Sequence, residues 1–139
     1  MLLWTEKPSL DEINNNMTGT MVTQLGIKIT SINDLSITAT MPVDDRTKQP
    51  YGILHGGASV VLSETLGSLA GNLCLVKPNY AVGLEINANH LRKVSDGHVE
   101  GVVTNVHLGK KTQVWNVNIY NINRKLTCTS RITLAVINV

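Results

Sequence analysis

Residues 58–75 read ASVVLSETLGSLAGNLCL, and the reading of this run decides the fold. It is too long for a strand and starts directly after Gly56-Gly57, so it predicts the one long helix of the chain. Its only charged residue is Glu64. A helix returns to the same face at i+3, i+4 and i+7, so Glu64 shares a stripe with Gly67, Ser68 and Gly71. A glycine inside a helix costs roughly 1 kcal/mol against alanine. Propensity therefore does not explain two of them, whereas close approach of a ligand or of a second backbone does. A glutamate most often marks a solvated helix face. Here Val60, Val61, Leu62, Leu66, Leu69 and Leu73 surround it, with no second charge to mark such a face. A carboxylate in this setting suits a general base, or a nucleophile towards an acyl group.

Upstream of the helix, Ser9-Leu10-Asp11-Glu12 is a capping box that opens a short helix over residues 10–16. Residues 27–32 and 36–41 alternate apolar and polar side chains around Asn33-Asp34, which reads as a hairpin. Residues 42–50 read as an irregular, charged loop. Downstream of Pro78 the texture becomes β, with runs at 82–90, 99–106, 113–120 and 126–137. Their separators, Ser95-Asp96-Gly97, Gly109-Lys110 and Asn121-Ile122-Asn123, are turn-forming. Consecutive strands with short turns predict an antiparallel meander, which the apolar helix must cover. The expectation is an α+β fold in one domain over residues 1–139, its antiparallel sheet wrapped around one long central helix. An open sheet with helices on one face has the same element order.

The loop ahead of the helix holds complementary parts. His55-Gly56-Gly57 sits where free backbone N–H groups point outward and the helix dipole favours negative charge. Glycine lets a substrate come close to those amides, and an acyl oxygen held there gains the stabilisation of an oxyanion hole. Gln49 is a neutral donor on the same loop. Taken singly, His-Gly-Gly is more often just a turn. Arg92-Lys93 and Lys110-Lys111 are either ordinary surface charge or a cradle for ligand phosphates.

The remaining composition excludes more than it selects. Twelve basic and 10 acidic residues leave +2, too even for a dedicated nucleic-acid binder. His55, His90, His98 and His107 lack ligand spacing, so no metal site is expected, and no P-loop or dinucleotide fingerprint calls for a cofactor. No signal peptide and no membrane span is expected from the apolar patterning. The two cysteines, Cys74 and Cys128, lie in apolar runs and suit a reduced, cytoplasmic protein.

The stretch Gln49-Pro50-Tyr51-Gly52-Ile53-Leu54-His55-Gly56-Gly57-Ala58, followed by Ser63-Glu64-Thr65-Leu66-Gly67-Ser68, resembles the signature of the hotdog-fold acyl-CoA thioesterases. The subgroup it is similar to includes the 4-hydroxybenzoyl-CoA and phenylacetate-pathway thioesterases. The likeness runs on through residues 82–92, His107-Leu108-Gly109 and Gln113-Val114-Trp115. It implies hydrolysis of an aromatic acyl-CoA thioester. Glu64 is then the catalytic carboxylate, Gly56 the backbone donor to the thioester carbonyl, Gln49 and His55 the side chains that orient the thioester, and Ser68 the hydroxyl beside the carboxylate. The resemblance assigns Gly83, His90, Leu91, Arg92, Lys93 and the stretch His107, Leu108, Gly109, Lys110, Lys111 and Thr112 to the coenzyme A surface. It also implies dimers whose sheets join edge to edge, paired into tetramers, with Glu64 facing the neighbouring subunit's loop. The other activities open to these residues are hydrolysis of carrier-protein thioesters, dehydration of a hydroxyacyl thioester, and plain acyl-thioester binding.

Overall fold

The computed structural model describes residues 2–139. The elements are α1 (Leu10–Asn16), α2 (Met21–Gln24), β1 (Lys28–Ile32), β2 (Ser36–Pro42), α3 (Gly56–Leu73), β3 (Tyr80–His90), β4 (His98–Leu108), β5 (Thr112–Tyr120) and β6 (Leu126–Ile137). The six strands form one sheet in the order β1-β2-β4-β5-β6-β3. Every neighbouring pair is antiparallel. Helix α3 packs against β2 through β6 and carries the core on its inner face.

Local chemistry explains the boundaries. Ser9 caps α1 by accepting from Glu12 N–H, as the capping box requires. The long helix begins two residues before the expected start, because the cap is His55, whose Nδ1 accepts from Gly57 N–H at 2.7 Å. The 42–50 segment is more ordered than its composition suggests. Thr47 Oγ1 donates to Pro42 O at 2.7 Å and accepts from Asp44 N–H at 3.2 Å. The Arg46 guanidinium, hydrogen-bonded to Asp44, holds that carboxyl below its usual range.

The expected four-strand meander is corrected by the topology. Strands β4, β5 and β6 do form one, but β3 pairs with β6 at the edge of the sheet and not with β4. The reason lies in β2, which zips along β4 from Ser36↔Thr104 to Pro42↔His98 and takes the edge a β3–β4 hairpin needs. With Asn14 of α1 on the outer edge of β1, the edge left for β3 is that of β6.

Burial of Leu62, Leu66 and Ala70 fastens α3 to Val103, Trp115, Ile132 and Leu134. Each fully buried leucine contributes about 2 kcal/mol. Trp115 stacks on Trp4 with ring centroids 6.0 Å apart. Its indole N–H donates to Gln113 Oε1 at 3.0 Å, and Gln113 Nε2 donates to Gly71 O at 3.3 Å, so the buried amide is satisfied at both ends.

Gly67 and Gly71 prove to serve the sheet and not a ligand. A Cβ on Gly67 would lie 2.4 Å from Ile132 Cγ2, and one on Gly71 would lie 2.3 Å from Leu134 Cδ1 and 2.6 Å from Gln113 Oε1. Leu134 and Gln113 are fully buried and have nowhere to move. Gly71→Ala should therefore destabilise the fold by about 1–3 kcal/mol, since overpacking outweighs the roughly 1 kcal/mol gained in helix propensity. A urea midpoint equal to or above wild type would contradict this.

The two sheet edges are treated differently. At β1, Asn14 clasps the free backbone of Ile29, donating to its carbonyl and accepting from its N–H, both at 2.9 Å. The β3 edge is open over eleven residues, and Val82 and Leu84 on it are 44% and 62% exposed. Such an edge invites a pairing partner.

Both cysteines are free, and burial pushes their thiols up, that of Cys74 to about 11. A thiol raised this far is almost wholly protonated at pH 8. Iodoacetamide should label the native chain at least about tenfold more slowly at Cys74 than the urea-unfolded chain, read by peptide mass. Equal rates would contradict the burial.

Candidate active site

The carboxylate half of the site lies on the middle of α3. Glu64 is half-buried and faces an open groove of about 470 Å³ lined by Met17, Val22, Thr65, Ser68, Leu69 and Asn72. Its seat is on β3, where a Cβ on Gly83 would stand 2.5 Å from Glu64 Oε1. Gly83 thus sits beneath the carboxylate, away from the Arg92–Lys93 stretch with which the sequence grouped it. Among the described residues no side chain hydrogen-bonds or pairs with Glu64. Its oxygens are left to water or substrate.

The donor half lies at the start of the same helix. Gly57 N–H is consumed by His55 Nδ1, so the first-turn amides are not all free. The amide of Gly56 precedes any intrahelical partner, and among the described residues nothing accepts from it. Because Nδ1 of His55 accepts a hydrogen bond, the neutral ring carries its proton on Nε2, which faces outward as a donor. Gln49 uses its side-chain oxygen to accept from Tyr51 N–H across a turn closed by Gly52 at φ +77°, which leaves the Nε2 amide as its free donor.

Gly56 opens onto a pocket of about 270 Å³ shared with Ser59, His90, Leu91, Arg92 and Lys93. The His90 ring covers Gly56 so closely that a Cβ there would be 2.8 Å from Nε2. Arg92 is anchored through one nitrogen to Leu126 O at 2.7 Å, and Lys93 is exposed beside it. This pocket joins an uncharged donor to a basic rim, as a thioester with a phosphate-bearing leaving group needs.

One chain does not bring the two halves together. Gly56 and Glu64 are eight residues apart on one helix, about 12 Å along its axis. The second basic group is also remote. Thr112, at the end of the 107–112 turn, pairs with Ala135, while His90 pairs with Cys128, about 23 Å away along β6. Within one chain Arg92-Lys93 and Lys110-Lys111 therefore cannot hold one set of phosphates.

Sequence reasoning missed Met17 and Val22 as walls of the Glu64 groove. Helix α2, which presents Val22, has four residues and buries none of them, so no helical period could announce it. It missed Gly83 as the seat of the carboxylate for another reason, since only the β3–α3 packing reveals it. Among the described residues no three His, Cys, Asp or Glu side chains group as metal ligands. No helix there is long and apolar enough to cross a membrane.

One long helix packed on a six-stranded antiparallel sheet, with a lone carboxylate at its middle, is the architecture of the hotdog fold. Residues 51–128 match the thioesterase superfamily. The 1,4-dihydroxy-2-naphthoyl-CoA hydrolase of Escherichia coli is 48% identical over 98% of this chain and 100% of its own length. The proofreading thioesterase EntH of Cronobacter sakazakii is 46% identical over 98% and 99%. Among solved structures, a thioesterase of Haemophilus influenzae superposes with TM-score 0.97 at 50% identity, covering 99% of this chain and 96% of that one. A Pseudomonas aeruginosa thioesterase, solved as a glutamine-to-alanine mutant, gives TM-score 0.97 at 45% identity over 99% of both chains. The chain belongs to the thioesterase superfamily, and it is a hotdog-fold enzyme that hydrolyses thioesters.

Proposed function

We propose that this enzyme hydrolyses an aromatic acyl-CoA thioester, 1,4-dihydroxy-2-naphthoyl-CoA, in the cytoplasm as a step towards menaquinone. The observation that carries the chemistry is Glu64, an unpaired carboxylate facing a groove of apolar and small polar side chains. The naphthoyl substrate is supported by the Escherichia coli relative, and the reduced compartment by two free thiols.

The site is completed by a second copy. Antiparallel pairing of two exposed β3 edges carries the site of one copy to the other. Glu64 then faces the partner's Gly56, and the 107–112 turn approaches the partner's Arg92. Two such dimers pair into a tetramer. Gly56 N–H polarises the thioester carbonyl, Gln49 and His55 Nε2 orient it, and Ser68 lies one turn from the carboxylate. Glu64 either takes a proton from water as the water attacks, or attacks the carbonyl itself to give a mixed anhydride that water cleaves. In both routes the C–S bond breaks, sulfur leaves as the coenzyme A thiol, and the acyl group leaves as the free acid.

A second reading, proofreading of aryl carrier-protein thioesters, is favoured by the Cronobacter relative. Thiol release from 1,4-dihydroxy-2-naphthoyl-CoA, benzoyl-CoA, a medium-chain acyl-CoA and an aryl carrier-protein thioester separates the two. The proposal expects the highest kcat/KM on the naphthoyl thioester. A higher value on the carrier-bound substrate would move the assignment to proofreading.

A further inference from the structure

Beyond the Glu64 groove lies a second chamber of about 230 Å³, between α1 and the C-terminal half of α3. Met17, Leu69 and Asn72 line both spaces and form the threshold between them. Asn72 is fixed there, since its amide donates to Ser68 O and Ala81 O and its Oδ1 accepts from Ala81 N–H. Met17 is an unbranched thioether and can adapt to what passes. The walls beyond the threshold are apolar, built by Ile13, Leu73 and Leu75. The rim carries Glu6, Glu12 and a single cation, Lys77, a balance that disfavours the several phosphates of coenzyme A.

We infer that this chamber is the distal part of the acyl site and takes the second ring of a two-ring acyl group. An apolar cavity of about 150 Å³ is enough to hold a benzene ring, and the chamber exceeds that. The first ring stays in the Glu64 groove with the carbonyl. Selection between one-ring and two-ring thioesters is then set by α1, an element remote from the charged parts of the site. The inference rests on the proposed hydrolysis of aromatic acyl-CoA thioesters at Glu64.

Glu12 and Asn16 stand one helical turn apart on α1 and line the chamber without lining the groove. Asn16→Trp fills the chamber from an exposed position, and Glu12→Trp repeats the test one turn earlier. The measurement is kcat/KM on 2-naphthoyl-CoA and on benzoyl-CoA, for wild type and both variants. Denying a ring its apolar pocket should lower the naphthoyl-to-benzoyl ratio by about tenfold or more in each variant. An unchanged ratio in both variants would overturn the inference while leaving Glu64 hydrolysis standing. Equal loss on both substrates would also overturn it, because the chamber would not discriminate. If wild type hydrolysed neither thioester, the proposed activity would fall and the chamber with it.

Discussion

Glu64→Gln is expected to lower kcat by about 100-fold or more, because a carboxylate that moves a proton or attacks in the transition state contributes on that scale. The variant isolates chemistry from packing. Glutamine keeps the shape of the side chain, and among the described residues no hydrogen bond or ion pair to Glu64 is lost. Its position in an open groove also spares the variant a buried, unpaired amide. The melting temperature should stay at the wild-type value while thiol release collapses. A kcat within threefold of wild type would remove Glu64 from the mechanism. Single-turnover hydrolysis in ¹⁸O water divides its two roles, since an anhydride route leaves label in the Glu64 carboxylate and a general-base route does not.

Gly56→Ala is expected to cost a similar amount, about 100-fold in kcat, the scale of losing one oxyanion donor. The N–H itself survives this substitution, so the effect is steric. The new methyl would stand 2.8 Å from His90 Nε2, 3.1 Å from Cε1 and 3.2 Å from Cδ2. The ring is exposed and can swing away, so the fold tolerates the change. The displaced ring and the added methyl then occupy the approach to the Gly56 amide. Circular dichroism melting should be unchanged while kcat falls. Full activity would mean that the displaced ring and the added methyl leave the approach to the Gly56 amide open.

Much of this was legible from residue order alone. The capping box fixed α1, with both ends as expected. The alternation at 27–32 and 36–41 located the first hairpin, because one face of each strand is buried. Strand β6 runs over the expected residues 126–137. What failed was pairing. A short turn suggested that β3 and β4 were neighbours, yet β2 competes for the same edge and wins through a seven-residue ladder. The Glu64 stripe was legible as a line of small residues, but its meaning was divided. Gly67 and Gly71 admit Ile132 and Leu134 of the sheet, whereas the open groove before Glu64 is walled by Met17, Val22 and Leu69. No local pattern distinguishes a glycine that admits a strand from one that admits a ligand. The 12 Å between Gly56 and Glu64 was implicit in helix geometry, and the proposed two-copy site rests on it.

The most direct test of that two-copy site is activity recovered by mixing the inactive Glu64→Gln and Gly56→Ala chains under conditions that exchange subunits. In a mixed dimer one site joins two altered halves and the other joins Glu64 from one chain to the intact loop of its partner. Half of randomly paired dimers are mixed, and one of their two sites is whole, so thiol release should return to about a quarter of the wild-type value. Activity that stays at the sum of the two inactive parents would place both halves of the site in a single chain and contradict the account.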